Sequence, residues 1–300
     1  MTGGIDELIL TDATLPPMFR SADRASLTGQ AETVRWSGVQ LGLLVAGAFL
    51  GAVDVELHNG IDLGALCAAV ALLVSLGPAM LLSINNPQRS WYRGRAAAET
   101  LRTLSWKYAV RAEPFAASDA AADERLLRDM ADILHGMQDV GWSAGAGEEP
   151  EITPAMRRLR AEPLAVRQQV YLQGRLRQQH SWYATKAATC KRMARRWAVL
   201  GILATVLGLV GGCLKAFGVL HYDGLGSASA VAATATAVIQ LKQYRPLAAA
   251  YSLTARELLL VISGLERPLD DEAAWARRCS EAEEALSREH TMWLARREAA

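Results

Sequence analysis

The chain has 300 residues, 32 of them basic and 31 acidic, for a formal net charge of +1, a balance that excludes a dedicated nucleic-acid binder, whose docking face needs a basic excess. With 51% hydrophobic residues it is not disordered, and its four cysteines (Cys67, Cys190, Cys213, Cys279), without a CxxC or other short spacing, exclude a disulfide-stapled secreted domain. Mean hydropathy is nevertheless above zero, at +0.09, so charge and apolar character must be segregated along the chain.

Residues 1–34 read as a cytoplasmic N-terminal segment. Their start, MTGGIDELILTD, is acidic and lacks the basic region of a signal peptide, so the first apolar run is expected to serve as an uncleaved anchor. Four stretches then lack charge entirely: residues 36–53, 63–84, 197–214 and 224–241. As helices they are about 27–33 Å long, the thickness of a bilayer's hydrocarbon core. A soluble core helix keeps polar residues on one face; the first three stretches have no such face. Pro78 falls inside the second, where a bilayer helix tolerates it as a kink. The fourth, rich in Ala, Ser and Thr, is the least hydrophobic, and full spanning or re-entry both stay open for it.

The connection at 54–62 contains no Lys or Arg, and that at 215–223 only Lys215; the remaining basic residues flank the spans on the other side. By the positive-inside rule both termini and the long middle segment are cytoplasmic. The expected fold class is all-α: an integral membrane protein with four transmembrane helices in two hairpins and a helical cytoplasmic body. Its expected domains are 1–34, the N-terminal segment; 35–140, the first hairpin with its helices; 141–162, a linker and short helix; and 163–300, the second hairpin with long flanking helices.

In the charged remainder, a helix is expected over 91–110, with Leu101, Leu104 and Tyr108 on one face and Pro114 beyond its end. Another is expected over 123–140, with Leu126, Leu127, Met130, Ile133 and Leu134 as its apolar stripe. Residues 141–151, GWSAGAGEEPE, form a linker. Thr153-Pro154 is a helix start, an N-cap followed by proline at the first helical position, and Pro163 marks another. The helix from Leu164 is expected to run unbroken into the third span. Helices over 248–265 and 272–297 close the chain, the last with a stripe of Trp275, Cys279, Ala282, Leu286 and Trp293 that reads as packing against a neighbouring helix.

No phosphate-binding GxxxxGK[ST] loop, GxSxG elbow or HExxH motif is present, and the five histidines are scattered. His58 and His221 lie in the outer loops beside Glu56 and Asp223, where solvated loop residues are the plain reading. No enzyme activity, metal or cofactor is expected. In the fourth span Ser229, Ala233, Thr236 and Gln240 share one face, which either packs against other helices or lines a water-filled path in a homo-oligomer, because polar groups at bilayer depth need a protein or aqueous neighbour. The Gly38/Gly42, Gly47/Gly51 and Gly208/Gly212 pairs have the small-residue spacing of close helix packing.

Below the third span Lys186, Lys191, Arg192, Arg195 and Arg196 crowd one helix. Like charges four residues apart repel by about a few tenths of a kcal/mol, so a partner is expected. Lys191, Arg192, Arg195 and Arg196 suit anionic lipid headgroups, worth about 1 kcal/mol per basic residue near the surface. Alternatively, Trp182, Tyr183 and Lys186 latch onto the last helix near Glu281, Glu283, Glu284 and Trp293 and hold the spans closed.

The motif Tyr171-Leu172-Gln173-Gly174-Arg175, with Gln179-His180-Ser181-Trp182-Tyr183 and Lys186-Ala187, leads directly into a transmembrane hairpin. Tyr251, Thr254-Ala255-Arg256-Glu257-Leu258, Trp275, Glu281, Glu284 and the run Arg288-Glu289-His290-Thr291-Met292-Trp293-Leu294 follow it. Residues 163–297 resemble the SLATT family, two-transmembrane effector domains associated with bacterial nucleotide second-messenger synthases (SMODS) and sensors (SLOG). Upstream, Trp91, Arg95, Ala98-Glu99, Trp106-Lys107-Tyr108 and Arg111-Ala112-Glu113-Pro114-Phe115 resemble another subtype over 30–140, in keeping with a tandem. The resemblance implies a membrane effector of a bacterial conflict or antiphage system that assembles in the lipid bilayer and opens a pore when signalled. A nucleotide-signalling sensor or synthase encoded nearby is then an implied partner. A membrane scaffold that recruits cytoplasmic partners through its helical body, without a pore, is the other reading.

Overall fold

The computed structural model describes residues 3–53, 61–138, 142, 149–220, 224–267, 269 and 271–298, with side chains from residue 4 to Leu286. His58 and His221, and the side chain of Trp293, lie outside the described residues. All regular structure described is helical: α1 (Gly3–Asp6), α2 (Pro17–Leu50), α3 (Leu63–Asn85), α4 (Pro87–Ala109), α5 (Asp119–Gly136), α6 (Pro154–Ala161), α7 (Leu164–Tyr171), a π-helical segment (Leu172–Arg177), α8 (Gln178–Ala216), α9 (Gly224–Leu241), α10 (Tyr244–Leu265) and α11 (Glu272–Glu298). Four stretches of helix are long and apolar enough to cross a membrane: Pro17–Leu50, Leu63–Asn85, Leu164–Ala216 and Gly224–Leu265. The chain is an all-α multi-pass membrane protein.

Local chemistry accounts for the breaks. Asp62 caps α3 by accepting a hydrogen bond from the Ala65 amide at 3.1 Å. Asn86, left-handed at φ 39°, ends α3 and returns its own N–H to the Leu82 carbonyl. Pro87 then opens α4, and Gln243 at φ 48° separates α9 from α10. Thr153 caps α6 through the Met156 amide at 3.3 Å, with Pro154 at the first helical position, as the sequence predicts.

One helix starts earlier than its apolar run, and one expected stripe needs correction. The first span is the far part of a helix that already starts at Pro17, within the stretch read as an N-terminal segment. A proline fits the opening turn because its missing N–H has no partner there in any case, and nothing between it and the uncharged run breaks a helix. The expected α5 stripe is split: Leu126 and Met130 are buried, while Leu127 and Leu134 face outward.

The chain gathers into two compact units that cut across the expected domain order. One, the helical body, takes residues 1–30, 88–185 and 250–300; the other, the apolar unit, takes 31–87 and 186–249. Each hairpin contributes both of its apolar helices to the second unit, the second hairpin together with the basic run from Lys186 to Arg196, while the more distant flanks of both go to the first.

In the helical body the core is built on Phe19, Leu101, Trp106, Tyr171, Trp275 and Leu286. Trp275, Cys279, Ala282 and Leu286 are all buried, which bears out the packing stripe of the last helix over its described part. The turn after α4 is held from three sides. Trp275 Nε1 and Arg167 Nη1 both donate to the Val110 carbonyl, at 2.8 and 2.9 Å, while Arg160 Nη1 donates to the carbonyls of Tyr108 and Phe115.

In the apolar unit, small residues let backbones approach. A Cβ on Gly51 would lie 3.2 Å from that of Ala68, and one on Gly208 only 2.7 Å from that of Ala228. The Gly38/Gly42 pair faces open space. Ser227 Oγ donates to the Ala48 carbonyl at 3.1 Å and ties α9 to α2.

Candidate functional site

The helical body encloses a polar network that local sequence pattern does not reveal. Its centre is Glu283 of α11, wholly buried. Arg175, in the π-helical segment and 1% exposed, grips it with Nε and Nη2 at 2.9 and 2.8 Å. Tyr171 and Thr103 each donate a hydroxyl to the same carboxylate at 3.0 Å. Arg175 Nη2 also reaches Glu99 at 3.4 Å, and Glu99 and Asp12 both hold Arg102, at 3.1 and 2.8 Å.

Burial alone would lower the basicity of Arg175, but the adjacent Glu283 carboxylate outweighs it and holds the guanidinium above its ordinary pKa. Burial raises the Tyr171 phenol and the Cys279 thiol well above their ordinary values, so both stay neutral. Paired in this way, both oxygens of Glu283 and two of the three Arg175 nitrogens are bonded. The network joins α4, the π-helical segment and α11, elements far apart in sequence.

The latch residues are placed differently from the expectation. Trp182 and Tyr183 meet Tyr251 of α10, with ring centroids 5.6 Å apart in both pairs, and Arg95 lies over the Trp182 ring at 5.8 Å. Glu283 is occupied by Arg175. Glu284 accepts from Ser280 at 3.2 Å and lies 3.5 Å from Lys107 Nζ. Lys186 is exposed in the apolar unit. Tyr251 of α10 thus gives Trp182 and Tyr183 an aromatic shelf.

Ser229, Ala233, Thr236 and Gln240 are all exposed, so the rest of the chain does not cover the polar face of α9. The buried side of that helix is carried by Ser227 and Ala235 instead. Thr236 satisfies its own hydroxyl by donating to the Ala232 carbonyl at 3.1 Å. Thr236 and Gln240 also border a groove of about 790 Å³ between α8 and α9, walled by Trp197, Gly201, Thr205 and Ala235.

Lys191, Arg192, Arg195 and Arg196 are all exposed, and Arg192, Arg195 and Arg196 border a shallow cleft with Val199. The residues that sequence reasoning missed are Arg175, Glu99, Arg102 and Thr103. Arg175 and Glu99 stand inside the quoted motifs, but the partnership of Arg175 with Glu283 spans 108 positions, which no spacing rule reaches.

Among known families, the profile of SMODS and SLOG-associating 2TM effector domain 3 matches residues 16–168. That of SMODS and SLOG-associating 2TM effector domain 1 matches residues 171–293. Each match contains one pair of membrane-length helices, and the two adjoin at the end of α7. No curated protein and no solved structure matches the chain.

Proposed function

The chain belongs to the SLATT family of effector domains associated with conflict systems, two subtypes in tandem, and from that premise we propose that it self-associates in the inner membrane and opens a conducting path through it. The observation that carries this reading is the uncovered face of α9. Polar side chains at bilayer depth need a protein or aqueous neighbour; this face carries the hydroxyls of Ser229 and Thr236 and ends in the amide of Gln240, two residues before Lys242. Gln240 is exposed on a face shared with Ser229 and Thr236. A second copy of the chain, enclosing water against that face, supplies what lipid cannot. Both termini and the middle segment lie on the cytoplasmic side in this reading, where the basic residues are concentrated. The chain needs no catalytic chemistry of its own for this role. A sensor or synthase encoded nearby supplies the signal.

Overproduction in bacterial cells raises the membrane concentration and favours assembly by mass action. A membrane-potential dye and growth then report leakage. Replacing Thr236 and Gln240 together by Leu is expected to abolish depolarisation while the protein still inserts at parental levels. Depolarisation as strong as in the parent would overturn the conducting path. It would leave the scaffold reading, which the outward-facing Leu253 and Leu260 on α10, 57% and 76% exposed, favour.

A further inference from the structure

A cavity of about 270 Å³ opens in the helical body beside the π-helical segment. Its walls carry three guanidiniums, of Arg95, Arg102 and Arg175, and three carboxylates, of Asp12, Asp23 and Glu99. Arg175 Nη1 is the only buried side-chain nitrogen or oxygen without a hydrogen-bond partner among the described residues. The other two deeply buried arginines of the body make the contrast: Arg160 and Arg167 each engage all three guanidinium nitrogens. Buried polar atoms are almost always bonded, so an exception inside a polar cavity asks for an explanation.

Further unused capacity surrounds the same space. Arg95 offers its guanidinium, held over an indole ring and by no hydrogen bond among the described residues. Gln178 and Gln179 contribute amides at the wall. Arg102 is already shared between Glu99 and Asp12, and Arg175 is balanced by Glu283. The remaining carboxyl, Asp23, has its pKa raised by burial against the opposing charges of Arg102 and Arg95. With Asp12 and Glu99 engaged by Arg102, the donors still open at the wall are Arg175 Nη1, the Arg95 guanidinium and the Gln179 amide, facing the Asp23 carboxylate.

We propose that this cavity binds a small ligand bearing an oxyanion, a phosphate or carboxylate group, whose oxygens are held by Arg95 and by Nη1 of Arg175, with Gln179 at the wall. Guanidinium donors match such oxygens in geometry and charge. The volume admits a small molecule and excludes a folded partner. The backbone is built for the position. Gly174 lies so close to Ile9 that a Cβ would fall 2.7 Å from its side chain, and the π-helical turn it belongs to carries Arg175. Such turns are frequent at functional sites. The same helix runs on without a break from Leu164 to Ala216, into the third span. As the input that switches the effector, the cavity rests on the function proposed above; as a binding site it does not.

The test is isothermal titration calorimetry on the full chain in detergent, in a buffer free of oxyanions, with inorganic phosphate, adenosine monophosphate and citrate as probes and adenosine as the uncharged control. Saturable binding is expected for at least one anionic probe and none for adenosine. Arg95→Gln should weaken binding by about tenfold or more while the unliganded melting temperature stays at the parental value. If Arg95→Gln does not fold, Gln179→Ala takes its place, with a smaller loss expected. No binding of any anionic probe, equal binding of adenosine, or affinity untouched by both substitutions would overturn the site. Depolarisation that persists in a protein that binds no probe sinks the cavity alone. Retained binding in a chain whose double Leu variant at Thr236 and Gln240 depolarises as strongly as the parent sinks the conducting path alone.

Discussion

Glu283 is where the polarity of the body converges: two nitrogens of Arg175 and the hydroxyls of Tyr171 and Thr103 reach its two oxygens, and none of it touches solvent. A buried pair of this kind stabilises little relative to apolar residues of the same shape, but breaking it is costly, because the surviving charge has nowhere to go. Glu283→Gln keeps the shape and leaves Arg175 with Glu99, at 3.4 Å, as its remaining counter-charge. The expected loss is about 3–5 kcal/mol, read as a lower midpoint in denaturant by tryptophan fluorescence in detergent. Thr103→Val removes one neutral donor from the same carboxylate and is expected to cost about 1 kcal/mol. Equal effects of the two would mean that Arg175 is not held by charge.

Among the elements, the α8–α9 contact depends on glycine for a reason that is purely steric. The Cβ of any residue at 208 would come within 2.7 Å of the Ala228 Cβ, a distance that forces the helices apart, whereas a Cβ at Gly211, one turn further along α8, meets nothing within 4 Å. Gly208→Val is accordingly expected to destabilise by about 1–3 kcal/mol, and Gly211→Ala to stay within about 0.5 kcal/mol of the parent. Thermal unfolding in detergent separates the two. A parental melting point for Gly208→Val would show that α8 and α9 are not packed at this position. The Gly38/Gly42 pair, with the same spacing, has no neighbour to meet, so the pattern by itself marks opportunity, not contact.

For the whole molecule the arrangement to test is orientation. Arginines and lysines are missing from residues 54–62 and, apart from Lys215, from 215–223, while they crowd every other flank of the spans. With the four native cysteines replaced, His58→Cys and His221→Cys are expected to react with an impermeant maleimide in intact spheroplasts. Gly145→Cys and Glu298→Cys should react only after lysis. Labelling of position 145 in intact spheroplasts would reverse the topology and remove the cytoplasmic placement of the body.

How much was legible in the sequence follows from how local each cause is. The membrane-length helices, the starts at Thr153-Pro154 and Pro163 and the buried stripe of Trp275, Cys279, Ala282 and Leu286 rest on composition, capping chemistry and a period of 3.6, all of which act within a few residues. The family resemblance was legible for the same reason, since its motifs are short. What only the tertiary structure decided is which of two equally amphipathic partners each residue meets. Trp182 and Tyr183 found Tyr251, Arg175 found Glu283 across 108 positions, and Leu127 stayed outside while Leu126 went in. Those outcomes depend on shape and charge brought together by the whole chain, so no window of sequence contains them. The sorting into a helical body and an apolar unit lies between the two. Hydropathy marks the apolar helices, but only packing could make one body out of the more distant flanks of both hairpins.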